Sequence, residues 1–191
     1  MNATRLIFVT ALFLAISGST ALANETYKID PAHSTIAFKV RHMLGTAKGK
    51  FTKFNGTIEV DREQPEQSSV TVSIQAASID TGIAKRDEHL RTADFFNVER
   101  FPDITFKSRK VTRTGANLGE IAGDLTMHGV TKPVTLRVEL VGNADSIGKD
   151  QATRWRVTTA PIKRSQFAFE PASMIGDDVT VDIQIEATRA N

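Results

Sequence analysis

Alternation of apolar and polar residues restricts the fold of this chain more than any other sequence feature. Successive side chains of a β-strand point to opposite faces, so a two-residue period places all the apolar members on one face. The apolar members are Ile36, Phe38 and Val40; Phe54, Ile58 and Val60; Val70, Val72 and Ile74; Ile104 and Phe106; Ile121, Leu125 and Met127; Val134, Leu136, Val138 and Leu140; Trp155 and Val157; and Val179, Val181, Ile183 and Ile185. With a short first strand at Tyr27, the pattern predicts an all-β protein of about eight or nine strands.

One segment, residues 81–97, interrupts the strands with helix-forming residues between Ala84 and Arg91. Thr81 is placed to cap this helix, and Pro102 ends the segment before the next strand. We expect a short helical insertion that acts as a crossover or a lid. Residues typical of turns separate the strands at 62–69, 114–117, 128–133 and 142–149.

The polar strand face carries Lys39, Glu59, Lys107, Arg137 and Glu139, and no aromatic girdles flank the apolar face. An outer-membrane barrel would turn its apolar residues toward lipid and carry such girdles. The composition therefore favours a soluble protein with an apolar interior. Alternation alone permits both a closed barrel and a sandwich of two sheets.

The N-terminus has the order of a secretory signal peptide: Arg5, an apolar run from Leu6 to Ile16, and the small-residue pattern Ala21-Leu22-Ala23. This run of eleven residues is too short to cross a bilayer core of about 30 Å. We expect export to the periplasm, cleavage after Ala23, and one mature domain from 24 to 191 with no integral membrane segment. The chain has no cysteine, so neither a lipid anchor on cysteine nor a disulfide is expected.

The chain carries 24 Lys and Arg against 22 Asp and Glu, and charges of both signs are interleaved. This distribution predicts no basic stripe for nucleic acid and no polybasic patch for anionic lipid. The common catalytic signatures are absent, and the four histidines lack the spacing of metal ligands. We therefore expect no catalytic residue, no metal and no cofactor.

A charged cluster on the helical insertion precedes two aromatic residues. Its members are Arg86, Asp87, His89, Arg91 and Asp94, followed by Phe95 and Phe96. In one interpretation a lid presents these charges at the mouth of an apolar cavity, while Leu90, Phe95 and Phe96 close over a lipid tail. In the other, they form a solvated helix face with weak pairs such as Asp87 with Arg91. The residues alone favour the second interpretation.

Several segments of the chain resemble the YceI-like family. They are Tyr27–Asp30 with His33-Ser34 and Phe38, Gly49–Phe51, Phe54–Gly56, Arg86–Arg91, Ala93–Phe96, Phe101-Pro102, Gly123–Val134, Lys163–Phe167 and Gly176–Val179. The resemblance spans essentially the whole mature chain. It departs from the family at 165–168, where Asp and Gly are common and this chain has Ser165, Gln166, Phe167 and Ala168.

The resemblance implies an extended, lipocalin-like antiparallel β-barrel of about eight strands with a short helical insertion. It also implies an elongated apolar pocket for a polyisoprenoid or another long-chain amphiphile, a periplasmic or secreted location, and no catalysis. The tail is expected along Phe38, Phe54, Phe106, Trp155 and Phe167, and further candidate contacts are His42, Arg86, Asp87, His89, Leu90, Arg91, Phe95 and Phe96.

The main hypothesis is a carrier, reservoir or sensor for an isoprenoid lipid such as a quinone or a prenyl phosphate. The second is a hydrolase or isomerase that uses Asp87 and His89 as acid and base. The third is a stress-related structural barrel filled by its own side chains. The residues leave the oligomeric state open, a homodimer included.

Overall fold

A computed structural model describes residues 25–143, 152–170 and 174–190. The predicted signal peptide therefore lies outside the described residues, as does most of the predicted turn at 142–149. Within these ranges no helix is long and apolar enough to span a membrane.

The described residues form twelve strands and one α-helix. The strands are β1 (Glu25–Ile29), β2 (Thr35–His42), β3 (Gly45–Phe51), β4 (Phe54–Val60), β5 (Ser69–Gln75), β6 (Ile79–Asp80), β7 (Asp103–Arg113), β8 (Leu118–Met127), β9 (Val130–Asn143), β10 (Ala152–Thr159), β11 (Ile162–Lys163) and β12 (Ile175–Arg189). The helix α1 covers Ala84–Arg91, inside the predicted insertion.

Eight of the strands close into an antiparallel barrel in the order β1, β4, β5, β7, β8, β9, β10 and β12. The last and first strands of this ring meet where Ala187 of β12 lies opposite Ile29 of β1. Farther along, β12 also pairs with β2, which continues to β3 and β6 as a branch of the same sheet. The prediction of an eight-stranded antiparallel barrel with a short helical insertion is confirmed, and closure excludes the sandwich.

The strand register gathers the apolar members of the alternation on the inner face of the barrel. Phe106 of β7, for example, lies between Val72 of β5 and Leu125 of β8. The main cluster of buried core residues consists of Tyr27, Ile29, Ile36, Phe51, Phe54, Ala76, Ile79, Ile104, Val157, Ile185 and Ala187. Full burial of one such large apolar side chain stabilises the fold by about 1.5–3 kcal/mol.

Three local features differ from the sequence analysis. Strand β3 has no run of large alternating residues, because small residues, Ala47 and Gly49, occupy its inner face. The turn between β8 and β9 consists only of His128 and Gly129, whose φ values of 51° and 76° suit a two-residue hairpin. Thr81 does not cap α1, which begins after Ile83 without a side-chain cap.

The charge distribution also differs from the sequence analysis, which expected no polybasic patch. Between Asp30 and Glu59 the chain has five cations and no carboxylate. They are Lys39, Arg41, Lys48, Lys50 and Lys53, all exposed. We call residues 35–53, which contain strands β2 and β3, the basic hairpin. The small net charge of the whole chain concealed this local excess.

Candidate ligand-binding site

The barrel lumen is the candidate site, and four aromatic residues predicted from the sequence lie on its inner face. Phe54 and Phe106 are buried, with 6% and 7% of their surface exposed. Phe38 and Trp155 are half-buried. The indole N–H of Trp155 donates a hydrogen bond of 2.9 Å to the Thr153 hydroxyl, so this polar group is satisfied within the wall. The lumen surface contributed by these four residues is therefore apolar.

The lumen is only partly filled by side chains of the barrel itself. Val134, Leu136 and Val138 follow one another on the inner face of β9, and all three are half-buried. Because they point into a closed barrel, the surface they retain faces the lumen. An interior packed to normal protein density would have buried them. The barrel thus combines a buried core with an apolar wall that is still accessible.

Two glycines on the inner face hold aromatic rings against the wall. A Cβ atom at Gly49 would lie 2.5 Å from Cζ of Phe38, and one at Gly123 would lie 2.5 Å from Cζ of Phe106. Contacts this short force a neighbour to move. Because glycine has no Cβ, the rings of Phe38 and Phe106 can lie directly over Gly49 and Gly123 on the neighbouring strands. In this position the rings extend less far into the lumen.

A chain of aromatic contacts crosses the end of the barrel at which the β8–β9 turn lies. Phe96 packs edge-on against Phe51 and Phe169, with ring centroids 5.9 and 5.1 Å apart. His128 stacks on Phe169 at 5.0 Å and meets Phe101 at 4.9 Å. The sequence analysis chose Phe96 but missed Phe51, Phe101, His128 and Phe169. Phe51 ends β3, which has no large alternating residues, and the other three lie outside the strands, so none belongs to a periodic apolar pattern.

The predicted tail contact Phe167 lies in a short 3₁₀ helix, Arg164–Phe167, and is 1% exposed. Its carbonyl oxygen lies 3.2 Å from Nδ1 of His128. Such complete burial leaves no surface for a ligand in this conformation. The role of Phe167 as a ligand contact stays a prediction that this geometry does not favour.

Three charged residues of the predicted lid bind the backbone that leads into α1. The Asp87 carboxylate is 7% exposed and accepts hydrogen bonds from the N–H and the hydroxyl of Thr81, at 2.9 and 2.5 Å. Arg86 donates to the Thr81 hydroxyl and carbonyl oxygens. Arg91 donates to the carbonyl oxygens of Ala77 and Ile79. Charged groups strengthen hydrogen bonds, so these side chains fasten the helix to residues 77–81.

His89, on the exposed face of α1, pairs with Asp94, which follows the helix. His89 Nε2 lies 3.1 Å from a carboxylate oxygen of Asp94, and the two side chains are 59% and 74% exposed. The Phe95 ring stands edge-on to the imidazole. The expected pair of Asp87 with Arg91 is absent from the described ion pairs, since both groups have other partners. Asp87 and His89 share no hydrogen bond, because Asp87 bonds to Thr81 and His89 to Asp94.

The remaining predicted residues lie at the helix side of the barrel and at one strand end. Leu90 and Phe96 are half-buried and pack against the core. His42 is the last residue of β2, opposite Gly45 and Ile175, in register with the inner-face residues Phe38 and Val40. Its position would allow contact with a ligand at the lumen end.

A separate cleft of about 390 Å³ lies between α1 and the β3–β4 turn. Its lining includes Lys53, Asp80, Asp87 and Arg91, so it is more polar than the lumen. Asp87 and Arg91 are already bonded to the backbone there. Over the described ranges, no three His, Asp or Glu side chains gather as metal ligands. We regard the lumen as the stronger candidate site.

Fold and lumen together define a class: closed antiparallel barrels with an apolar inner face. The particular family follows from sequence comparison, in which the model of the YceI-like domain matches residues 27–187. The chain belongs to the YceI-like family. Its solved neighbours share the barrel fold.

A relative and two solved structures show the extent of the similarity. A UPF0312 protein of Photorhabdus laumondii is 39% identical over 171 residues, which are 86% of each chain. The crystal structure of Burkholderia cenocepacia BcnA has a TM-score of 0.75 and 27% identity, covering 84% of this chain and 99% of BcnA. A polyisoprenoid binding domain from Saccharophagus degradans has a TM-score of 0.64 and 18% identity, covering 86% and 98%. At 18% identity this last likeness concerns the fold alone.

Proposed function

We propose that this protein is an exported periplasmic carrier or reservoir that holds a polyisoprenoid, or a similar long-chain amphiphile, inside the barrel. The observation that carries the proposal is the half-buried apolar wall of β9, with Leu136 and Val138 facing a closed lumen. Apolar surface that remains accessible inside a fold gains free energy when a ligand covers it. A long apolar tail is the ligand chemistry that this wall suits.

The magnitudes assign different roles to the wall and to the charges. A ligand gains about 0.3 kcal/mol per heavy atom after ordering costs, so a five-carbon isoprene unit contributes roughly 1.5 kcal/mol. An exposed ion pair such as Arg156 with Glu139 contributes about 0–1 kcal/mol. Tail length should therefore set affinity, whereas charged groups at the lumen end would orient the head of a quinone or prenyl phosphate.

Two further observations support this proposal over its alternatives. The Saccharophagus neighbour is described as a polyisoprenoid binding domain, and it shares the barrel fold. Asp87, which the enzyme hypothesis needs as an acid or base, is buried and occupied by Thr81. A structural barrel filled by its own side chains would leave no accessible apolar wall on β9.

Export is supported by the N-terminal order of Arg5, the apolar run Leu6–Ile16 and Ala21-Leu22-Ala23. The protein recovered from its own periplasm should start at Asn24, which an intact-mass measurement tests. A full-length chain in the membrane fraction would contradict this part of the proposal.

The ligand is tested by native mass spectrometry of the same periplasmic protein, followed by lipid extraction. We expect a long-chain lipid to co-purify and to be released on denaturation. Leu136→Arg places a charge on the lumen wall, which costs several kcal/mol in an apolar surrounding, so binding should fall more than a hundredfold. The matched control is Thr135→Arg, because the adjacent Thr135 is exposed on the outer face of the same strand.

The two arginine variants separate binding from folding. Thr135→Arg should bind lipid within about twofold of the wild type, because its arginine reaches water. Should Leu136→Arg unfold, Val138→Trp provides a second change, which fills the lumen without adding a charge and should shorten the preferred tail. A folded Leu136→Arg variant with wild-type affinity, or no bound lipid under lipid-replete conditions, would refute the lumen as the site.

A further inference from the structure

An apolar tip projects from the basic hairpin. Leu44, in the β2–β3 turn, is fully exposed, and the adjacent Met43 is 57% exposed. Met43 donates a backbone hydrogen bond of 2.8 Å to the carbonyl oxygen of Met174, whose side chain is 58% exposed. This bond places the three large apolar residues side by side. Clustered apolar exposure of this kind marks an interaction surface.

Exposed cations surround this tip on the outer face of the basic hairpin. Lys39 lies directly opposite Lys48 across the two strands, and Arg41 lies one outward position closer to the tip. None of the three forms an ion pair within the described ranges. Like charges opposite each other destabilise a strand pair. The arrangement therefore costs stability, and folding alone does not account for it.

The carboxylates nearest the tip do not neutralise these cations. Asp178 of β12 lies 2.9 Å from Nζ of Lys163. Asp177 accepts hydrogen bonds from the N–H and hydroxyl of Ser165, which lower the pKa of its carboxyl group. Both acids are thus engaged on β11 and the 3₁₀ helix that follows it. Asp80 lies opposite Lys50, whereas Lys39, Arg41 and Lys48 form no ion pair among the described residues. The positive charge of these three side chains remains available to a partner.

We propose that the basic hairpin docks the protein on an anionic phospholipid bilayer. Met43, Leu44 and Met174 enter the interface between headgroups and acyl chains, and the surrounding cations meet the phosphates. An apolar tip with a basic collar suits an anionic membrane surface, where apolar burial and charge attraction add. A second copy of the chain fits this surface poorly, because five cations from each hairpin would face each other.

Docking is tested by flotation of the mature protein with two kinds of vesicle. One contains phosphatidylcholine alone, and the other contains phosphatidylcholine and phosphatidylglycerol in equal parts. We expect binding to the second kind, with much weaker binding to the first. Leu44→Ser should weaken binding about tenfold or more, because it removes apolar area from the interface.

The charges are tested with the double variant Lys39→Gln/Lys48→Gln. Each cation near an anionic surface contributes about fivefold in affinity, so the pair should contribute roughly 25-fold. The double variant should be at least as stable as the wild type, since it removes a like-charge pair. Lost binding therefore cannot be assigned to unfolding, which a denaturation curve verifies.

Matched controls lie elsewhere on the barrel. Leu118 is 52% exposed beside the β7–β8 turn, at the other barrel end, so Leu118→Ser removes a similar side chain. Lys107→Gln/Lys110→Gln removes two exposed cations from β7 and gives the same net charge as the hairpin variant. Both controls should bind the vesicles like the wild type.

The outcomes separate this proposal from the one on the lumen. Wild-type protein that ignores anionic vesicles, or controls that lose binding as strongly as the hairpin variants, would overturn docking. If the wild type binds no vesicles and Leu44→Ser changes the oligomeric mass, the tip contacts a second copy of the chain. That result would also overturn membrane docking. Leu44→Ser should leave lipid binding in the lumen unchanged. Wild-type protein that binds anionic vesicles but holds no lipid would contradict the lumen proposal and leave the docking proposal standing.

Discussion

Replacement of Asp87 distinguishes a group that holds α1 in place from one that serves a ligand or a reaction. The carboxylate is the acceptor for both the N–H and the hydroxyl of Thr81. Asp87→Ala leaves both donors without this acceptor, and an unpaired buried polar group costs about 1–3 kcal/mol. Since Thr81 is half-buried and water can reach part of it, we expect a total loss of about 2–3 kcal/mol in the free energy of unfolding.

A graded series sharpens this prediction. Asp87→Asn keeps an oxygen for Thr81 but loses the charge, so it should cost only about 1 kcal/mol. The control is Asp94→Asn, because the Asp94 side chain is 74% exposed and pairs only with His89. Its effect should stay within about 0.5 kcal/mol. Urea unfolding followed by the fluorescence of Trp155, the single tryptophan, measures all three variants.

The result that would refute this reasoning is specific. If Asp87→Ala unfolds at the wild-type urea concentration, the bonds to Thr81 do not stabilise the helix. If wild-type protein converts a prenyl phosphate or a quinone to a product, and Asp87→Asn or His89→Gln abolishes that turnover, the enzyme hypothesis replaces the binding protein. We expect no turnover and only small changes in lipid affinity.

Two further predictions concern the wall and one surface pair. Gly49→Val, whose Cβ meets only side-chain atoms, should displace the Phe38 ring into the lumen and reduce affinity for the longest tails by about tenfold, read from a tail-length series. Gly142→Val, where a Cβ meets nothing within 4 Å, should leave this affinity unchanged. The hydrogen bond to Asp30 raises the pKa of His33 above its ordinary value, so an NMR titration should show this rise and its loss in Asp30→Asn. Because the folded-state pKa is raised, the stabilising contribution of His33 is present at acidic pH and is lost as the pH rises through that pKa; a His33 pKa unchanged by Asp30→Asn would contradict the assignment.

The inner face of the barrel could be predicted from the sequence because a strand has a fixed two-residue period. Phe38, Phe54, Phe106 and Trp155 share one face in the alternation, and they share the lumen wall in the structure. Alternation is a local property of each strand, so it predicts which side chains share a face whichever strands pair with each other. The same reasoning missed β3, whose inner-face residues Ala47 and Gly49 are too small to give an apolar signal.

The functions of the charged residues could not be predicted from the sequence, because they depend on tertiary contacts that no local sequence pattern shows. The spacing of Asp87 and Arg91 suggested a pair along one helix face, but each reaches back to residues 77–81. That segment is positioned by the pairing of β6 with β3, which no local pattern reveals. The energetic preference for satisfying buried backbone groups then outweighs a weak exposed ion pair.

The sequence by itself determined the strand content, the apolar face and the short helix, since each follows from interactions between residues close together in the chain. Only the tertiary structure decided that the sheet closes, because closure depends on β12 pairing with β10 on one edge and with β1 and β2 on the other. The pairing of β12 with β1 joins residues about 160 positions apart, such as Ile29 and Ala187. Closure decides which side chains face the lumen and which face water. An apolar alternation that fits a barrel and a sandwich equally well therefore forms the inner face of a barrel here.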